Sequence, residues 1–179
     1  MSQPGTRLPS VYTEIPGPES SAMVDVLARH ECPAITARRA RRAQHMGLTH
    51  DDPIVWESAI GANVRDVDGN TYVDLTSGFG VALIGHTHPA VVEAINVQSG
   101  RLLHASGDTW PDPQRIRLLE QLASIAPGDI DVSILGLSGS DAVEAAIKTA
   151  AITTSKDRVV SFEGSYHGLA LGPLPLQGY

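Results

Sequence analysis

The segment from Val132 to Phe162 constrains the fold of this chain more than any other. Val132 to Leu137 is a short apolar run, the kind that forms a strand buried on both faces of a parallel sheet. Asp141 to Thr154 follows with Val143, Ala146, Ile147 and Ala150 on one helical face, and Asp141 and Glu144 fit the cap and third positions of its first turn. Glu144 and Lys148 stand one turn apart and suit an ion pair. Val159 to Phe162 reads as a second strand. Strand, helix and strand within about 30 residues predict a βαβ unit with a right-handed crossover, so the chain reads as α/β.

In parallel sheets of this kind, ligands sit beyond the carboxyl ends of the strands. Two motifs fall there. Ser138-Gly139-Ser140 joins the first strand to the helix N-terminus, where free N–H groups and the helix dipole attract an anion. Taken alone, the tripeptide reads more readily as a plain helix cap. Gly164-Ser165-Tyr166-His167-Gly168 follows the second strand and delivers an aromatic ring and an imidazole to the same edge. A ring can stack there on a flat ligand, so the pair of motifs suits a phosphorylated aromatic cofactor. On spacing alone, a half-buried surface pair explains Tyr166 and His167 as well.

Other phosphate and metal chemistries fit worse. No Gly-x4-Gly-Lys-Ser/Thr loop is present, and Leu83 occupies the third glycine position after Gly78 and Gly80. His86 and His88 lack a third ligand at a sensible spacing and read as a turn pair rather than a metal site. There is no Gly-x-Ser-x-Gly nucleophile elbow.

The earlier part of the chain is patterned differently. Residues 1–20, with Pro4, Pro9, Pro16 and Pro18, read as a flexible leader without the basic and apolar regions of a signal peptide. Helical spacing starts at Ser21 (Met23, Val26, Leu27), breaks at Pro33 and resumes from Ala34 to His45. Ile54 to Trp56, Asn63 to Asp66 and Thr71 to Leu75 read as short strands, with Asp68-Gly69-Asn70 as a hairpin turn, giving an antiparallel unit over residues 54–75. Ser77-Gly78-Phe79-Gly80 is a glycine-rich loop. Helices are expected from Pro89 and over Pro113 to Ile125.

The formal net charge of -7 excludes a general nucleic-acid binder. Arg38, Arg39, Arg41 and Arg42 read as a solvated helix face or, alternatively, a patch for an acidic partner. A single cysteine, Cys32, forms no intramolecular disulfide, and no run approaches the ~18 apolar residues of a membrane span. The expected location is cytoplasmic, with no membrane partner.

The segments GANVRDVDGNTYVDLTSGFGVALIGHTHPAVVEAI, LSGSDAVEAAIKTA and FEGSYHG occur in that order. Together they resemble the class III aminotransferases, over about residues 53–168. The resemblance implies the N-terminal portion of a fold-type-I pyridoxal-phosphate-dependent transferase. A segment of the small α+β lobe would occupy residues 21–76, and the start of a mainly parallel-sheet cofactor domain residues 77–179. It implies pyridoxal 5'-phosphate, an amino donor and an oxo-acid as substrates, and a homodimer. Ser138, Gly139 and Ser140 would hold the cofactor phosphate, Tyr166 would stack on its ring, and His167 would lie beside it. Phe79 would line the substrate pocket, as would Leu169, which stands where members that grip a distal carboxylate often carry arginine.

The family's Schiff-base lysine lies further on than this chain reaches. Lys148 is eight residues past Ser140, roughly 12 Å up the helix at 1.5 Å per residue, and Lys156 precedes the second strand at the opposite edge. No catalytic residue is therefore expected in these 179 residues, which read as cut off before the chemistry. An aminomutase of the same fold and a non-catalytic product are the alternatives.

Overall fold

A computed structural model of the chain describes residues 5–47, 53–107 and 109–178. They form two compact units, Met1–Leu103 and His104–Tyr179.

In the first unit, helices α1 (Pro18–His30) and α2 (Pro33–His45) precede three short strands, β1 (Trp56–Ile60), β2 (Asn63–Asp66) and β3 (Thr71–Val73). Each helix starts on a proline, which suits a position whose N–H has no intrahelical partner. The strands form an antiparallel sheet in the order β1-β2-β3. Ile60 faces Asn63 and Val64 faces Tyr72, and a bulge between Trp56 and Ser58 shifts the outer register. Gly69 closes the β2–β3 turn at φ 88°, a conformation that a side chain would strain. The turn and β2 follow the expected pattern, whereas β1 runs Trp56–Ile60 instead of Ile54 to Trp56 and β3 stops at Val73 instead of Leu75.

The leader does not behave as expected. Residues 5–17 are tied to the hairpin rather than loose. Ser10 exchanges backbone hydrogen bonds of 2.9 and 2.8 Å with Thr71. Asn63 accepts from Arg7 N–H (2.7 Å) and donates to Arg7 O (2.9 Å), so its amide acts as a strand partner. Asn70, fully buried, accepts from Tyr12 and Thr13 N–H and donates to the Thr13 hydroxyl. Proline content suggested a free tail, yet side-chain amides far along the chain satisfy this backbone.

The start of α1 lies inside the supposed leader and is held the same way. Its N-cap, Gly17, has no side chain to offer. Asp68 from the hairpin turn supplies the cap, accepting from Glu19 N–H (2.7 Å) and Ser20 N–H (3.0 Å). A Cβ at Gly17 would overlap that carboxylate. Burial pushes the Asp68 carboxyl up, but hydrogen bonds from Ser20 and Glu19 outweigh it and leave it below the ordinary value.

The expected boundary at 76/77 falls inside this unit, because His86 pairs with Gly61 and anchors the following loop to the sheet. Helix α3 (Pro89–Ser99) comes after that loop.

The second unit contains α4 (Pro113–Ile125), α5 (Gly139–Thr154) and a 3-10 turn at Leu174–Leu176. Asp112 caps α4, its carboxylate accepting from Gln114 and Arg115 N–H. Helix α5 begins two residues earlier than expected. Ser138 is its cap, accepting from Asp141 N–H, and Asp141 sits at the third position. The Glu144–Lys148 ion pair forms at 3.3 Å.

The two segments read as parallel strands, Val132 to Leu137 and Val159 to Phe162, pair with nothing among the described residues. A central parallel strand needs a neighbour on each edge and cover on both faces. Leu137 is 100% exposed and Phe162 82%, so neither condition is met within this unit. No helix among the described residues is long and apolar enough to cross a membrane.

Candidate functional site

Helix α5 opens on Gly139 and Ser140, whose backbone N–H groups find no acceptor among the described residues. The cap hydroxyl of Ser138 is neutral. The nearby Asp141 carboxylate turns back to accept from Leu137 N–H at 2.9 Å instead of closing the helix end. A Cβ added at Gly139 would meet nothing within 4 Å. The positive end of the helix dipole is thus open, with room for an anion against the backbone.

The loop carrying Tyr166 and His167 is pinned to this helix start. Ser140 Oγ accepts from Ala170 N–H at 2.9 Å, and the Glu144 carboxylate accepts from Gly172 N–H at 2.7 Å. Gly168, at φ 98°, lies so close that a Cβ there would overlap the Ser140 side chain. Gln177 braces the far side, donating from Nε2 to Gly168 O and accepting at Oε1 from His167 N–H. Gly164 and Ser165 pair with Gly178. Ser138, Gly139 and Ser140 are therefore brought together with the Tyr166–His167–Gly168 loop. Tyr166 is 46% exposed and Leu169 54%, so both present surface at the mouth of this loop.

These residues fit the phosphate and flat ring of pyridoxal phosphate: open helix-terminal donors, two serines and a loop-borne aromatic. Neither lysine reaches them. Lys148 is held by Glu144, and Lys156 lies past the C-cap Ser155 at the other end of the 16-residue helix. That separation is roughly 24 Å at 1.5 Å per residue.

Phe79 belongs to the first unit and stands in a single left-handed turn. Ser77, Gly78, Phe79 and Gly80 have φ of 52°, 58°, 64° and 84°. For Ser77 and Phe79 such a backbone costs roughly 1–2 kcal/mol each. Phe79 is 81% exposed.

Sequence reasoning missed Asp74 beneath this turn and saw His86 only as a turn residue. Asp74 Oδ1 accepts from the Thr76 N–H and hydroxyl, and Oδ2 from Gly78 N–H (2.6 Å) and His86 Nε2 (2.7 Å). These bonds, that of His86 foremost, hold its carboxyl well below the usual carboxylate range. The Asp74-x-Thr76 spacing of an Asx-turn was a usable local signal. The eleven residues between Asp74 and His86 carry none. No cluster of three or more metal-ligating side chains exists among the described residues.

The chain is similar to known proteins. The aminotransferase class-III family matches residues 46–177. Acetylornithine aminotransferase of Methanopyrus kandleri is 38% identical over 138 residues, 77% of this chain and 35% of the relative. Isoleucine 2-epimerase of Lentilactobacillus buchneri is 41% identical over 126 residues, 70% of this chain and 28% of the relative. Among solved structures, adenosylmethionine-8-amino-7-oxononanoate aminotransferase from Methanocaldococcus jannaschii superposes with a TM-score of 0.65 at 26% identity, over 71% of this chain and 30% of that one. The chain spans about a third of the length of these relatives. The family match spans the left-handed turn, the α5 start and the loop pinned to it: the chain belongs to the class-III aminotransferase family, with the α/β fold of the N-terminal portion of a transaminase.

Proposed function

We propose that this chain forms the phosphate end of a pyridoxal 5'-phosphate site in an enzyme that moves an amino group from an amino donor to an oxo-acid. One observation carries the reading: α5 opens on two unpartnered N–H groups behind a neutral cap, with the Tyr166 loop fastened to it through Ser140 and Ala170. Bound there, the cofactor would supply an electron sink for bonds at the amino-bearing carbon. The chain's own residues would bind and orient. Gly139 and Ser140 N–H would donate to the phosphate, assisted by the hydroxyl proton of Ser138. The Tyr166 ring would cover the pyridine face, with His167 beside it.

In this reading Leu169 lines the donor pocket, and Phe79 is a separate candidate for contact with the donor. Leu169 offers no cation, and a distal carboxylate beside it would be desolvated without a partner. Donors with neutral or apolar distal ends are therefore favoured. The reading also includes a homodimer in the cytoplasm. A second reading, stereochemical inversion at the same carbon, is supported by the 41% identity to isoleucine 2-epimerase and would need no oxo-acid.

Calorimetric titration of the chain with pyridoxal phosphate and with pyridoxal tests the phosphate assignment. The phosphorylated form should bind at least about tenfold more tightly, and Tyr166→Ala should weaken it by about tenfold, the loss of one aromatic stacking contact. Equal affinity for the two forms would remove the phosphate from the α5 start.

A further inference from the structure

Among the described residues of the first unit, the left-handed turn at Ser77–Gly80 is the one place where strained non-glycine backbone carries a highly exposed aromatic. Strain of this kind persists only where surrounding contacts over-determine it. Three hydrogen bonds close the turn on itself, Gly80 N–H to Thr76 O at 2.9 Å, Val81 N–H to Ser77 O, and Ala82 N–H to Ser77 O at 2.8 Å. They do not choose its hand. The Asp74 carboxylate does, because it takes Gly78 N–H from inside the turn and Thr76 N–H from its entry at once.

Asp74 is in turn held from the sheet. Its side chain is 4% exposed and meets His86 Nε2 at 2.7 Å. His86 cannot drift: its backbone exchanges hydrogen bonds of 2.9 and 2.8 Å with Gly61, and its ring stands edge-on to Trp56 at 5.8 Å between centroids. With four donors, the carboxylate has about its full complement of acceptor sites in use.

We propose that Asp74 and His86 are positioning residues: they lock residues 77–80 left-handed and thereby fix where Phe79 stands. They act through Phe79 and not on a substrate. The role of Phe79 toward the donor rests on the proposed function, whereas the lock itself does not. Failure of pyridoxal phosphate to bind at α5 would remove the former and leave the latter standing.

The test is NMR of the full chain, with dipolar couplings reporting the sign of φ at Ser77 and Phe79 and hydrogen exchange reporting Gly78 N–H. The parent should show positive φ at both residues and slow exchange. Asn has one side-chain acceptor oxygen and adds donors, so Asp74→Asn should speed Gly78 exchange by about tenfold or more. It should also let Phe79 average to negative φ, with the Val64 and Tyr72 amides unchanged. His86→Gln should move the same readouts less, and it carries the test should Asp74→Asn unfold the chain. Adding Phe79→Gly to Asp74→Asn should restore the left-handed turn, since glycine adopts it without a Cβ clash. General destabilisation would not give that rescue. A turn that keeps its hand and its Gly78 protection in both single variants, or a double variant as disordered as Asp74→Asn, would overturn the proposal.

Discussion

Two helix starts in this molecule are built to opposite ends. At α1, Gly17 contributes nothing and a carboxylate from the hairpin, Asp68, reaches across the chain to accept from Glu19 and Ser20. Negative charge meets the positive end of the dipole, and the end is closed. At α5 the cap is the neutral Ser138 hydroxyl, the carboxylates of Asp141 and Glu144 turn to Leu137 and Gly172, and the donors of Gly139 and Ser140 find no acceptor among the described residues. Only the second can take an anion from solution. A carboxylate in the cap marks a helix end that serves the fold, and a hydroxyl with spare N–H groups marks one that can serve a ligand.

The largest expected effect breaks the closed end through its support. Asp66, fully buried, accepts from Asn70 N–H (2.8 Å), Asn70 Nδ2 (2.9 Å) and the Tyr72 hydroxyl (2.8 Å). Asp66→Ala leaves these buried donors unmet, at about 3 kcal/mol or more in total. Denaturant unfolding should show this loss, with the Asn70-bound leader and the Asp68-capped α1 released first.

A matched pair of substitutions separates the two ends more sharply. Gly17→Ala forces a Cβ into Asp68 and should cost roughly 1–3 kcal/mol. Gly139→Ala meets empty space and should leave the unfolding midpoint unchanged or slightly higher, alanine being the better helix former. Its methyl group would instead occupy the anion's approach and lower pyridoxal phosphate affinity. Equal stability losses for both would erase the distinction.

Acid should act on the α1 cap and not on the α5 cap. The folded Asp68 carboxyl lies below its ordinary value, so its contribution is present above about pH 4 and is lost as pH falls through the folded value. The amide shifts of Glu19 and Ser20 should move in that window, whereas the Ser138 hydroxyl does not titrate. This is the smallest effect, and a Glu19 amide indifferent to acid would contradict the Asp68 cap.

What could be read from the sequence was what neighbouring residues decide. Asp68-Gly69-Asn70 announced its turn, and Pro89 and Pro113 announced helix starts, because turn and N1 chemistry is local; Pro33, read as a break before Ala34, is itself the first residue of α2. The α5 cap was legible only as a choice between two overlapping patterns, Ser138-x-x-Asp141 and Asp141-x-x-Glu144, and the fold takes the first. Asp68 capping α1, Asn63 and Asn70 holding the leader, and His86 holding Asp74 all span long stretches of chain, with no periodicity to reveal them. Strand pairing for Val132–Leu137 and Val159–Phe162 failed for a related reason: an apolar run shows that a strand suits burial, but not which neighbour it finds. At the candidate site, the residues of α5 and the Tyr166 loop were legible as motifs. The Ser140–Ala170 and Glu144–Gly172 bonds that join them were not.

The central claim is that the α5 start takes the cofactor's phosphate. Backbone amide shifts of the chain, followed by NMR as pyridoxal phosphate is added, test it most directly. Gly139 and Ser140 should move together and saturate, and inorganic phosphate should compete. Gln114 and Arg115, at the carboxylate-capped start of α4, should stay still. Movement at α4 and none at Gly139 and Ser140 would contradict the account.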